Sequence, residues 1–462
     1  MPTKEGPHMR ANVALKALIV GVVAGAFIVP LAMIWGVVRD RSRYRDTVVA
    51  EVARSTAQSQ TLVGPLVVVR YRELLPAAGR GEAEQVREGL DILLPDSLRI
   101  RSSARVEMRQ RGIYRVPVFR AATGFTAAFT LPPRFGMDQR RLVEEPRAEV
   151  VFGVSDPRGI RAIPQVKVDG AILEARPGAG LGWLRNGFSV TLPPGAAGRR
   201  VALDGTLELL GTDRLLFLPV GAATDVEVSS DWPHPSFVGA FLPDERTVSA
   251  RGFRANWKLS RFATGVDDAM AHVRDNMSRG VPMPTDAAGG TSAFPNTDLG
   301  VRFVQPVDVY VQSERAVKYG FLFVFLTFVT FFLFEVLRRM AVHPIQYALC
   351  GAAVALFFLL LVSLSEHLPF AASYLIAAGA CVGLATFYVG HVLGSVARGA
   401  VFCGLLGTLY GFLYVILQSE DYALLLGALL LFVALAVVII ITRRVDWYRL
   451  SEPTTSTPGG PA

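Results

Sequence analysis

Cysteine is almost absent from this chain of 462 residues: there are three, and Cys350, Cys381 and Cys403 all fall inside long apolar runs. The polar stretch between them and the N-terminus holds none, so no disulfide framework staples it, and a segment of that length can bury an adequate core without one. The three thiols share no metal-ligand spacing and read as small apolar packing residues. Gly-x-Ser-x-Gly, phosphate-loop and His-Glu-x-x-His patterns are missing too. Gly178, Gly180 and Gly182 do not follow a strand into a helix, which rejects a dinucleotide fingerprint. No catalytic, metal or cofactor motif is legible. The formal charge is +8, but both signs are interspersed; a nucleic-acid partner would call for a clustered basic stripe.

What the chain does have is apolar length. Blocks at Tyr319–Leu337, Ile345–Leu364, Phe370–Leu393, Ala397–Leu417 and Ala423–Ile441 follow one another closely, and another, Leu15–Val38, stands alone near the N-terminus. Each matches the roughly 17–25 residues that cross a hydrocarbon core as a helix. Lys and Arg in short loops mark the cytoplasmic side. Arg338, Arg339, Arg398, Arg443, Arg444 and Arg449 lie in one set of connections or beyond the last block, whereas the alternate connections, 365–369 and 418–422, have no Lys or Arg. Both termini are therefore expected in the cytoplasm.

The expected organisation is a cytoplasmic N-terminus (1–14), an uncleaved anchor (15–38), an exported segment (39–318), a five-helix bundle (319–441) and a cytoplasmic tail (442–462). The anchor lacks an Ala-x-Ala cleavage pattern and is longer than a signal h-region. Arg39, Arg41, Arg43 and Arg45 crowd its exported end against the charge rule, which is weak beside long translocated segments.

Within the exported segment a helical stalk is expected over 38–60, and 278–300 reads as a flexible loop. Short alternating runs predict strands at Thr61–Tyr71, Leu90–Leu94, Leu98–Met108, Ile113–Arg120, Gly124–Leu131, Ala148–Val154, Gln165–Leu173, Gly187–Leu192, Val201–Leu209, Leu215–Val220 and Val301–Val311. Ser313 is then expected to cap a helix entering the second crossing. A Leu-Pro turn before paired strands recurs at Leu94-Pro95 and Leu192-Pro193, a faint sign of duplication. The fold class is thus an α+β membrane protein: six transmembrane helices, with a large, mostly antiparallel β domain inserted between the first and second.

Three groups of residues stand out as candidate sites. Ser363, Ser365, Glu366 and His367 share the exported end of the bundle with Gln418, Glu420 and Asp421; they suit helix capping and docking or, more sharply, a proton- or cation-responsive cluster. Trp232, Pro233, His234, Pro235 and Phe237 concentrate aromatics and prolines, as a buried sheet corner or an exposed recognition groove would. Glu335 and His391 are polar residues within crossings, Glu335 with Arg338 and Arg339 in pairing reach. Gly379/Gly383, Gly390/Gly394 and Gly407/Gly411 permit close helix approach, within the bundle or between copies.

Several ordered stretches are similar to the CreD (Cet) family of bacterial inner-membrane proteins. In the exported half they are Arg111-Gly112-Ile113-Tyr114, Trp232-Pro233-His234-Pro235-Ser236-Phe237, Phe241-Leu242-Pro243, Gly252-Phe253-Arg254-Ala255-Asn256-Trp257, Pro306-Val307-Asp308-Val309-Tyr310 and Glu314-Arg315-Ala316-Val317-Lys318-Tyr319. The membrane half adds His343-Pro344-Ile345-Gln346-Tyr347, Ser363-Leu364-Ser365-Glu366-His367, Leu409-Tyr410-Gly411, Gln418-Ser419-Glu420-Asp421-Tyr422-Ala423 and Thr442-Arg443-Arg444-Val445-Asp446-Trp447-Tyr448. The resemblance implies a Gram-negative inner-membrane protein with a periplasmic domain, in the regulon of the CreBC two-component system, associated with envelope integrity, colicin tolerance and β-lactam response. It brings no catalytic mechanism. The expected function is a non-enzymatic envelope-stress protein whose β domain engages an envelope or periplasmic partner, with the lipid bilayer and a second copy of the chain as further partners and no cofactor. A transporter or channel accessory using the acidic cluster is the alternative.

Overall fold

The computed structural model describes residues 13–75, 85–138, 142–279, 297–304, 309–338, 343–392, 396–419 and 422–443. It divides into two compact units, one formed by Met1–Arg45 with Val307–Ala462 and one by Asp46–Pro306.

The unit Asp46–Pro306 is built on two eight-stranded sheets. One contains β1 (Gln60–Leu75), β2 (Gln85–Leu93), β5 (Arg147–Val154), β8 (Arg176–Pro177), β9 (Gly187–Thr191), β11 (Arg214–Phe217), β13 (Pro235–Gly239) and β16 (Leu299–Phe303). The other contains β3 (Ser97–Arg111), β4 (Tyr114–Thr130), β6 (Gln165–Val168), β7 (Ala171–Leu173), β10 (Arg200–Thr212), β12 (Ala223–Ser230), β14 (Glu245–Ser249) and β15 (Gly252–Ser260). The first runs β13-β16-β11-β1-β5-β9-β8, with β2 also on β1, and the second runs β14-β15-β12-β3-β4-β10-β6-β7.

Pairing is antiparallel except at the middle of each sheet, where β1 lies parallel to β11 and β3 parallel to β12. From these two parallel seams the strands step outward in matching fashion: β1, β5, β9 against β11, β16, β13, and β3, β4, β10 against β12, β15, β14. The Leu-Pro echo does not follow this correspondence, because it equates β3 with β10.

Alternation explains the layers. Along β3 exposed and buried residues succeed one another from Ser97 to Arg105, burying Leu98, Ile100, Ser102 and Ala104, the pattern of a strand with one wet face. Aromatic rings join the sheets: Phe125 of β4 lies 4.6 Å from Phe152 of β5, and Phe119 of β4 lies 5.0 Å from Phe303 of β16. The helix α4 (Val266–Ser278), preceded by the single turn α3 (Arg261–Thr264), buries Val266, Met270 and Val273 in the same core.

Gly252 opens β15 with φ +130°, and a Cβ there would collide with the Ser230 carbonyl of β12. Gly252→Ala is expected to cost about 2 kcal/mol, seen as a lower urea midpoint for this unit.

The other unit contains α1 (Val13–Ala26), α5 (Val309–Arg338), α6 (Pro344–Ser365), α7 (Phe370–Val392), α8 (Val396–Gln418) and α9 (Ala423–Thr442), together with the first part of α2 (Ile28–Ser55). Among the described residues six spans are long and apolar enough to cross a membrane, the first combining α1 and α2 from Leu18 onward. Helices α5, α6, α7 and α8 pack in succession, and α5 also meets α8 through Phe331 and Phe402, whose rings lie 4.9 Å apart. His343 caps α6, its Nδ1 accepting from the Ile345 N–H while Gln346 accepts from the His343 N–H; this accounts for the His-Pro-Ile-Gln spacing.

Several expectations need correction. Ile113–Arg120 and Gly124–Leu131 are one strand, β4. Gln165–Leu173 is the β6–β7 hairpin, turned at Asp169-Gly170. The strand expected over Val301–Val311 is Leu299–Phe303, and helix α5 is already under way at Val309. Ser313 therefore sits inside α5, fully buried, and is not its cap. Leu299 and Gly300, expected in a flexible loop, are strand residues. Ser278, at its other end, closes helix α4; residues 280–296 of that loop and the terminal segments 1–12 and 444–462 lie outside the described residues.

Candidate functional site

Glu366 is the centre of the bundle's polar end. Its position just past α6 places Oε1 3.5 Å from Nε of Arg41, on α2, and 3.3 Å from the hydroxyl of Tyr310, on α5. Three helices thus meet at one carboxylate, which is 13% exposed while Arg41 stays half in solvent. The neighbouring arginines are engaged as well: Arg43 approaches Asp40 at 3.7 Å, and the Arg39 guanidinium lies over the Trp35 ring. Charges that run against the loop rule thus find partners on their own helix and on the loop after α6.

The described contacts of Glu366 come from α2 and α5. Gln418 donates instead to the Tyr414 hydroxyl one turn back, and Glu420 and Asp421 lie outside the described residues. Ser365 is buried and donates to the Val362 carbonyl, as a helix-end hydroxyl does. Ser363 and His367 are exposed. Among the described residues no group of three or more His, Cys, Asp or Glu is arranged to hold a metal ion. Because Arg41 neutralises Glu366, the chemistry available here is charge-assisted fastening. Arg41→Gln and Glu366→Gln, made singly and together, should show a coupling of about 1 kcal/mol in thermal unfolding of the full chain in detergent; additive effects would deny it.

His391 is exposed near the end of α7 and stacks on Phe387. Glu335 lies near the end of α5, and its expected pairing with Arg338 or Arg339 falls outside the described side chains. Gly390 packs against Gly399 of α8, whereas Gly379, Gly383, Gly407 and Gly411 face open space. Cys381 is more than a filler: its Sγ lies 3.1 Å from the Tyr410 hydroxyl, and the Tyr374 hydroxyl donates to the Tyr410 carbonyl at 2.6 Å.

In the β unit the aromatic segment is half-buried at a sheet edge. The Trp232 indole N–H donates to the Val304 carbonyl at 2.9 Å and its ring meets His234 edge-on. Pro233 precedes β13, which begins at Pro235; Phe237 of that strand packs edge-on against Phe253 and Trp257, and the Arg246 guanidinium covers it. The segment therefore contributes to the core and still presents one side outward.

A polar centre that the sequence did not signal lies where α2 enters β1. Asp156 is buried. Its carboxylate accepts from the backbone N–H groups of Gln58 and Arg158 and from the Arg158 guanidinium, whose Nη2 is 2.6 Å from Oδ2. Burial pushes this carboxyl up, but the Arg158 side chain and the two backbone donors outweigh that and hold it below its ordinary value. Gln60, fully buried, donates through Nε2 to the carbonyls of Asp156 and Leu210. Arg158 also reaches the Arg54 carbonyl in the last turn of α2. Further along, Arg111 at the β3–β4 turn grips Glu51 of α2 at 2.8 Å.

Known proteins resemble this chain over nearly its whole length. A family model described as inner membrane protein CreD matches residues 12–448. The curated inner membrane protein CreD of Escherichia coli (strain K12) is 34% identical over 428 residues, covering 92% of each chain. Every motif quoted above lies inside the matched range, and six membrane-length helices with a β unit between the first and second agree with it. The chain is accordingly a member of the CreD family of multi-pass inner-membrane proteins.

Proposed function

We propose that this CreD-family protein is a non-enzymatic envelope-stress component, with Asp46–Pro306 in the periplasm and both termini in the cytoplasm. The β unit engages an envelope partner, and the helices anchor it and carry its state to the membrane. The observation that carries this reading is the doubly tethered β unit. Its entry strand β1 and exit strand β16 lie in one sheet with only β11 between them, and α2 is clamped to the strands through Glu51–Arg111 and Arg158. Such a body would register a partner's load at both tethers together.

The loop charges support the orientation. The unfilled faces around Gly379, Gly383, Gly407 and Gly411 favour self-association in the bilayer.

The test is photocrosslinking in intact cells from probes placed along β13, alongside reporters fused after Lys318 and at the C-terminus. A reproducible envelope partner, with the first reporter periplasmic and the second cytoplasmic, is expected. A β unit found in the cytosol would overturn the reading. Gly407→Leu should reduce crosslinked dimer without lowering abundance.

A further inference from the structure

On the outward face of the second sheet, two adjacent rungs run across β3, β4, β10 and β6. One aligns Arg99, Thr126, Asp204 and Lys167; the other aligns Arg101, Gly124, Thr206 and Gln165. Together they line a trough of about 300 Å³. Gly124 gives it depth, since a Cβ there would find its nearest neighbours only 3.9 to 4.0 Å away. At the usual strand spacing the four strands span about 14 Å, room for a disaccharide.

The side chains are unspent. Asp204 and Lys167 stand directly opposite each other on paired strands yet form no ion pair, and Thr126, Thr206 and Gln165 make no side-chain hydrogen bonds within the described chain. Arg99 and Arg101 lean on Asp225 and Glu227 of β12, the nearest approach in each case being through Nε at 3.4 and 4.0 Å. Those pairs balance the two arginines from β12 and steady them through Nε, leaving their Nη donors open to a trough whose lining also holds Lys167, with no ion-pair partner among the described residues, and the Asp204 carboxylate.

We infer that this trough binds an acidic sugar, a short saccharide bearing a carboxylate or a phosphate. The cations at either end take the anionic group. Asp204, an acceptor only, requires hydroxyl donors from the ligand, and the Thr126, Thr206 and Gln165 side chains suit the same hydroxyls. A bare anion would leave Asp204 facing like charge. A neutral sugar would leave Lys167 without an anion and the Nη donors of Arg99 and Arg101 without a charged acceptor in the trough. The site stands whether or not the domain also engages a protein.

The full chain in nanodiscs is titrated by calorimetry with digalacturonate and with trehalose 6-phosphate, the two arms separating carboxylate from phosphate, against lactose, trehalose and inorganic phosphate. At least one acidic sugar should bind at least tenfold more tightly than its neutral counterpart and than inorganic phosphate. Arg101→Gln and Lys167→Gln should each weaken it at least tenfold, and Asp204→Asn at least threefold, with unfolding midpoints unchanged because all three positions are on the surface. No saturable binding of either acidic sugar, equal binding of inorganic phosphate or of a neutral sugar, or indifference to all three substitutions would overturn the assignment.

Discussion

Asp156→Asn is expected to destabilise the β unit by on the order of 3 kcal/mol, measured as a lower urea midpoint of the full chain in detergent followed by tryptophan fluorescence. The substitution removes the charge that Arg158 and two backbone N–H groups surround, and it turns an amide –NH2 toward donors in a buried site. The pH dependence supplies an internal control. The native carboxyl titrates below its ordinary value of 3.8, so its contribution is complete above that value and disappears as the pH falls through the lower native one. Wild type and variant should therefore differ most near neutrality and converge as the pH falls through the lowered native value. A gap that persists undiminished in acid would place the effect in packing and not in charge.

Trp257→Ala should cost more, about 3–5 kcal/mol. Trp257 is fully buried between the sheets, meets Phe237 edge-on at 6.0 Å and donates its indole N–H to the Phe241 carbonyl at 3.0 Å. Truncation opens a cavity and strands that carbonyl as well. Trp257→Phe keeps most of the volume and loses the donor, so about 1–2 kcal/mol is expected there. Equal losses in the two variants would show that the hydrogen bond, and not the ring, dominates. Because Phe237 loses a packing partner, the β13 edge should also exchange its amide hydrogens faster in Trp257→Ala.

Much of the architecture was legible because the bilayer and the sheet each impose a strong period. Six apolar blocks needed only counting, and the alternation of Leu98, Ile100, Ser102 and Ala104 announced β3. Other elements were hidden for physical reasons. Gly124 looked like a break between two strands, but a glycine on the outward face of a long strand interrupts nothing and hollows the surface. Strand β12, Ala-Thr-Asp-Val-Glu-Val-Ser-Ser, carries Asp225, Glu227 and Ser229 on its outward face and reads as a polar loop until Arg99 and Arg101 on β3 are seen beside the two acids.

The candidate site was half visible. Glu366 could be named from its place at a helix end. Its partner Arg41, more than three hundred residues earlier, was met as an anomaly of loop charge, since only tertiary contact joins the two. Asp156 gave no signal at all: Ser-Asp-Pro-Arg-Gly reads as an ordinary turn, and its burial comes from α2 and β10 closing over it.

The two parallel seams also dictate when this domain can exist. Gln60 sits beside Leu215, and Ser97 beside Ala223, so the heart of either sheet stays open until most of the unit has left the ribosome. The β16 strand, which closes on β11, is made only shortly before the second crossing. Early β hairpins such as β3–β4 must wait as unpaired edges with the first helix already in the bilayer. With the β unit exported, as proposed above, translocation would deliver an unfinished sheet, exposed to whatever folding assistance the receiving compartment provides, and complete it almost at the moment the chain turns back into the membrane.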